Sequence, residues 1–139
     1  MQRYVEIKWC EISQTIVHFE IPAKNVTKLK SFYEKLFGWK IVKTPSDFME
    51  YWTIETVPTN DKGMLTRPGV NGGMYKKQSD ANIPVNYVAV EDIDKALIDV
   101  VKLGGEVIMG RQEVPGVGYT ASIRDPEGNP IAMIQPKRA

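Results

Sequence analysis

His18 and Glu20 are the residues of this sequence whose types and spacing best suit chemistry. They lie two apart within Thr15-Ile16-Val17-His18-Phe19-Glu20-Ile21, where β-branched and aromatic residues dominate and apolar side chains alternate. A strand over 15–21 turns both toward one face and Val17, Phe19 and Ile21 toward the other, because strand side chains repeat every second residue. A neutral imidazole there can bind Zn, Ni or Fe, and an imidazole beside a carboxylate can also relay a proton. The plainer alternative is a histidine satisfied by hydrogen bonds and a carboxylate paired with Lys or Arg.

Five aromatic residues, Tyr51, Trp52, Tyr75, Tyr87 and Tyr119, fall on or beside segments that read as strands. Such side chains can line a ligand pocket, and they serve equally well as core packing; Trp52 in particular suits a place under a helix. Gly116-Val117-Gly118 lacks the strand-to-helix setting of a phosphate-binding loop, and no Ser or Cys sits in a nucleophile motif. Nucleotide binding and triad hydrolysis are not expected on those grounds.

The elements that must position these residues can be read from periodicity. After Pro22, apolar residues at Val26, Leu29, Phe32, Tyr33, Leu36 and Phe37 return to one side of a helix, with Asn25 as N-cap and Gly38 as its stop. Strands follow over 39–43 and 48–56, then a polar loop over 58–72 and a fourth strand over 73–77. The order begins again: a strand over 84–90, a helix capped by Asp92 and stopped at Gly104 and Gly105, then strands over 106–111, 119–124 and 130–135. Lys24, Lys28, Lys30 and Lys35 read as a solvated helix face, and Arg124 with Asp125 as a surface pair.

The two halves match in type at a constant spacing of 67, pairing Val26 with Ile93, Lys28 with Lys95, Leu36 with Leu103, Gly38 with Gly105 and Ile41 with Ile108. The fold class is therefore α+β, with two βαβββ modules, about 14–78 and about 82–136, in one domain over 1–139. An N-terminal arm over 1–13 precedes them.

Composition bounds the rest. A hydrophobic share of 42%, a charged share of 25% and a net charge of +1 are ordinary for a globular chain and provide no basic surface for nucleic acid or an anionic membrane. Cys10 is the single cysteine, so no intramolecular disulfide forms. The charged start, Met1 to Lys8, lacks the apolar core of a signal peptide, and no apolar run reaches the roughly 20 residues of a membrane span; both point to the cytoplasm.

Val17-His18-Phe19-Glu20-Ile21, Phe32-Tyr33-Glu34-Lys35-Leu36-Phe37-Gly38-Trp39, Val90-Glu91-Asp92-Ile93, Leu103-Gly104-Gly105 and Asp125-Pro126-Glu127-Gly128-Asn129-Pro130 occur in an order that resembles the vicinal oxygen chelate superfamily. That family includes glyoxalase I, extradiol dioxygenases and bleomycin-resistance proteins. Asn71-Gly72-Gly73-Met74 and Val114-Pro115-Gly116-Val117-Gly118-Tyr119 are similar to a glyoxalase-like branch of unassigned activity.

The resemblance implies curled mixed sheets paired into a cup-shaped pocket that holds a divalent ion, whether Zn, Ni, Fe or Mn. It places a ligand at His18 and further ligands at Val85, Ala132 and near Gly73, none of which can coordinate. Tyr75 and Tyr87 share strand parity with Gly73 and Val85, so they are substrate-contact candidates together with Tyr119 and Trp52. The expectation is a small-molecule-binding homodimer lacking the full metal site, with the N-terminal arm and its Trp9 and Ile12 contributing to the dimer. The alternatives are a metal-dependent lyase or isomerase of the lactoylglutathione lyase type, and a drug- or metabolite-sequestering protein of the bleomycin-resistance type.

Overall fold

A computed structural model describes residues 13–45 and 50–137. The N-terminal arm with Trp9, Cys10 and Ile12, and the first residues of the strand anticipated from Phe48, lie outside the described residues. The chain divides into two units, residues 18–84 and residues 85–137, the second also including the lead-in 13–17.

The first unit runs β1 (Ile16–Ala23, entered at Ile16 from the lead-in), α1 (Val26–Phe37), β2 (Lys40–Thr44), β3 (Tyr51–Glu55) and β4 (Gly72–Lys76). Its strands lie in the order β2-β3-β4-β1. The β1–β4 pair is parallel and the other two pairs are antiparallel. A parallel partner requires a long crossover, which α1, β2, β3 and the loop after them supply.

Helix α1 begins where Asn25, in extended backbone, accepts a hydrogen bond from the Lys28 amide at 3.1 Å. It ends at Gly38, whose φ of +71° places it in the left-handed region that glycine enters without strain. Val26, Leu29 and Tyr33 pack against Ala23, Ile41, Ile54 and Met74 of the sheet, with Phe19, Ile21, Trp39 and Trp52 around them. Ile54 and Met74 are fully buried, and burying such side chains stabilises the fold by about 1.5–3 kcal/mol each. Truncating Ile54 to Ala would cost about 2–5 kcal/mol, because a cavity is left as well as lost transfer energy.

The second unit repeats the order with β5 (Val85–Ala89), α2 (Ile93–Lys102), β6 (Glu106–Val114), β7 (Gly118–Arg124) and β8 (Pro130–Pro136). Its strands lie in the order β5-β8-β7-β6, with β5 and β8 parallel. Asp92 caps α2 through the Lys95 amide, and Gln135 reaches from β8 to accept the Ile93 amide at 2.9 Å. The core is Val90, Ile93, Ala121 and Met133, with Leu97, Val100 and Ile123 against it. The lead-in joins this unit through hydrogen bonds between Gln14, Thr15 and Ala89.

Two local features differ from the sequence reading. Strand β6 continues to Val114, because Gln112, Glu113 and Val114 pair with Thr120, Tyr119 and Gly118 around a tight turn at Pro115–Val117. Arg124 ion-pairs with Glu106 at 3.8 Å, while Asp125 accepts the Glu127 and Asn129 amides inside its own turn. Hydrogen bonds from Asn129 hold the Asp125 carboxyl below its ordinary range.

The spacing of 67 holds through the helix starts and then slips by one. Helix α1 has 12 residues and α2 has 10. The left-handed glycine that answers Gly38 is Gly104, with a φ of +91°, rather than Gly105. Past that point the buried Ile41 corresponds to Val107, which pairs with Ile123, while Ile108 is 43% exposed.

Candidate functional site

Because α1 covers one face of the first sheet, residues of opposite parity occupy the other. Register partners share a face, so Glu20 with Gly73, Tyr51 with Tyr75, and Thr44 with Tyr51 define the side away from α1. His18 joins them by alternation along β1.

Three of these side chains form a hydrogen-bonded chain. The Tyr51 hydroxyl donates to Glu20 Oε2 at 2.9 Å. His18 Nε2 lies 3.0 Å from Tyr51 Oη and 3.6 Å from Glu20 Oε2. For both contacts to be hydrogen bonds, the single phenolic proton goes to Glu20, since an ionised carboxylate only accepts, and His18 supplies Nε2–H to the Tyr51 oxygen. The side chains of His18 and Glu20 are 30% and 22% exposed, so solvent or a small molecule can reach them. Tyr75 stands beside this group: burial, and then the negative charge of Glu20, push its phenol above the ordinary value of 10.0.

The backbone makes room for this chain at Gly73. A side chain there would collide with the Tyr51 phenol, which lies across the bare glycine.

Tyr51 is one of the five strand aromatics that the sequence offers for a pocket, but not one of the four singled out there as substrate contacts. The signal was parity: once Trp52 is assigned to the helix side, its neighbour Tyr51 must face the way of His18 and Glu20.

The remaining candidates separate by face. Tyr75 stands near Glu20, whereas Trp52 packs with the helix-side core, and Lys43 Nζ lies 5.6 Å from its ring centroid. Trp52 also lines a helix-side groove of about 790 Å³ bordered by Lys24, Lys30, Lys43 and Lys76, on the face opposite His18. In the second unit, Tyr87 pairs with Ala132 on the side away from α2, while Tyr119 packs on the helix side under Arg111, 4.8 Å from its ring centroid.

The two parallel pairs correspond residue for residue. Glu20 opposite Gly73 in β1–β4 is answered by Tyr87 opposite Ala132 in β5–β8. By the same correspondence Val85 answers His18 and Thr120 answers Tyr51. The second unit thus carries no imidazole or carboxylate at these places.

This donor set does not fit a divalent ion of the kind the sequence resemblance implies. A three-ligand site needs three lone-pair donors aimed at one point, and among the described residues only His18 and Glu20 of the His, Cys, Asp and Glu side chains stand together here, both joined to Tyr51. Among the described residues, no group of three His, Cys, Asp or Glu side chains could hold an ion. Among those residues, too, no helix is long and apolar enough to cross a membrane.

Comparison with known proteins agrees with the fold. The sequence model of the Glyoxalase/Bleomycin resistance protein/Dioxygenase superfamily matches residues 15–133. No curated protein matches the chain significantly. Among solved structures, the chain is similar to methylmalonyl-CoA epimerase from Mycobacterium tuberculosis, with TM-score 0.65, 11% identity, and coverage of 96% of this chain and 95% of that one. A variant of the Streptomyces coelicolor methylmalonyl-CoA epimerase in complex with 2-nitronate-propionyl-CoA gives TM-score 0.66 at 11% identity, covering 91% and 97%. The 2,3-dioxygenase LapB from Pseudomonas sp. KL28 gives 0.60 at 11%, covering 89% of this chain and 43% of that one. At such identities the likeness is one of fold.

Proposed function

From a chain that belongs to the Glyoxalase/Bleomycin resistance protein/Dioxygenase superfamily, we propose a protein that binds a small organic molecule at His18, Glu20 and Tyr51 without a resident divalent ion. The observation that carries this reading is the bridging Tyr51 hydroxyl, 2.9 Å from Glu20 and 3.0 Å from His18. Three polar groups on a partly exposed face, with the Tyr75 phenol beside them, form the kind of convergent polar set that orients a ligand.

The same geometry supports proton transfer. A proton taken up by His18 can be balanced through the phenol by the Glu20 charge, with only hydrogens moving between atoms already in hydrogen-bond contact. The methylmalonyl-CoA epimerases have a name that denotes inversion at a carbon centre, and this makes a thioester with an acidic carbon a reasonable first compound to try here. A lyase of the lactoylglutathione type would need an ion, and the described residues do not bring together the donors to hold one.

The test uses chelator-treated protein and three probes: methylmalonyl-CoA, the hemithioacetal of methylglyoxal with glutathione, and bleomycin. The chain has one histidine, so the ring signals of His18 in a magnetic resonance spectrum report binding without overlap. The reading expects at least one probe to shift those signals in chelator, and the shift to vanish in Tyr51→Phe. Binding that appears only after Zn, Ni, Fe or Mn is restored would overturn it, as would silence with all three probes. A bound probe recovered unchanged would mark sequestration, and a converted one an enzyme.

A further inference from the structure

The Tyr51 ring rests on backbone that has no side chain. A Cβ built on Gly73 would collide with Tyr51 Oη and Cζ, far inside the 3.0 Å below which such contacts are essentially never seen. A side chain at 73 and the phenol in its present place therefore exclude one another. Gly73 is also the register partner of Glu20, so any group placed on it would project beside that carboxylate.

We propose that the Tyr51 phenol replaces an ion as the group that ties His18 to Glu20, and that Gly73 is the position that decides between the two arrangements. Tyr51 is in this sense a positioning residue, and the proposal rests on the ion-free reading given above. With Tyr51 donating to Glu20, the tautomer of His18 that completes the chain is the one with its proton on Nε2. Coordination through Nε2 would require that proton to leave and the phenol to move aside. The fitting ligand is one held by hydrogen bonds to these side chains rather than one that needs to chelate an ion through two oxygens.

Nitrogen-15 spectra of the one histidine test this directly. Wild type is expected in the Nε2–H form, and both Tyr51→Phe, which keeps the ring, and Gly73→Ala, which displaces it, are expected to lose that bias while retaining a wild-type circular dichroism spectrum. Tyr51→Ala combined with Gly73→Glu supplies a third donor and empties the space, and is expected to take up one Co²⁺ with a visible spectrum that His18→Ala abolishes. An Nδ1–H form in wild type, a tautomer indifferent to Tyr51→Phe and Gly73→Ala, or a folded double variant that stays colourless with Co²⁺ would each overturn the proposal. If the double variant does not fold, the tautomer measurements decide alone. Wild type that binds Co²⁺ through His18 would remove the ion-free reading as well, whereas an ion-free wild type with an indifferent tautomer removes only the role given to Tyr51.

Discussion

Tyr51 and Tyr75 stand directly opposite one another in the antiparallel β3–β4 pair, one hydrogen-bonded to Glu20 and the other feeling its charge. The two phenols therefore answer to one carboxylate in different ways.

For Tyr75 the consequence is a titration above the ordinary value of 10.0, since burial and then the Glu20 charge both oppose the phenolate. Below that pH folded and unfolded chains both keep the proton, and stability is unaffected. As pH rises past it the unfolded chain ionises first, so stability falls until the folded phenol also titrates. Alkaline titration followed by tyrosinate absorbance, wild type minus Tyr75→Phe, should show this late phenol. Glu20→Gln should move it back toward 10.0 without restoring it fully, because burial remains. An unmoved titration would mean that the charge of Glu20 does not reach Tyr75.

Thr44, the register partner of Tyr51, carries a hydroxyl that is buried and, among the described residues, has no hydrogen-bond partner. Such a group loses its hydration and recovers nothing, and replacing it by an apolar group of the same shape is neutral or favourable. Thr44→Val should raise stability by about 1 kcal/mol in urea denaturation. A loss of that size would show that the hydroxyl is satisfied in solution.

Gly38 is a test of backbone alone. Its φ is +71°, and a Cβ added there would meet nothing within 4 Å. Gly38→Ala should therefore cost about 1–2 kcal/mol through the left-handed conformation itself, and Gly38→Asn less, since asparagine tolerates that region. Equal losses for both would point to a packing effect that the open surroundings do not contain.

What the sequence made legible follows from which interactions are local. The caps at Asn25 and Asp92, the stop at Gly38 and the alternation through His18 and Glu20 are set by neighbours within a few residues, and all are found as read. The hydrogen-bonded chain was not legible, because Tyr51 reaches His18 and Glu20 across more than thirty positions and only the register of β3, β4 and β1 brings them together. Trp52 and Tyr119 show the same limit from the other side: as aromatics on strands they suited either face, and the helix packing decided for the core. The repeat failed where a count was carried through a helix end, since α2 is two residues shorter than α1 and the correspondence slips there.

Asn71 shows how the loop before β4 is fixed. Its Oδ1 accepts the amides of Thr56 at 2.7 Å and Val57 at 2.9 Å, and its Nδ2 donates to the Val57 carbonyl at 2.9 Å. One side chain thus closes a loop of fourteen or fifteen positions and delivers Gly72 and Gly73 to their places beside β1. Asn71→Ala would leave two partly buried amides and a carbonyl without these partners, and a loss of about 2–3 kcal/mol is expected in chemical denaturation. Asn71→Asp keeps both acceptor interactions, loses the donor to Val57, and should fall between. The further expectation concerns the site. If Asn71 fixes the entry to β4, Asn71→Ala should also disturb the His18 ring signals, because Gly73 supports the Tyr51 ring. Unchanged His18 signals in a destabilised Asn71→Ala protein would separate the loop from the site and assign Asn71 to stability alone.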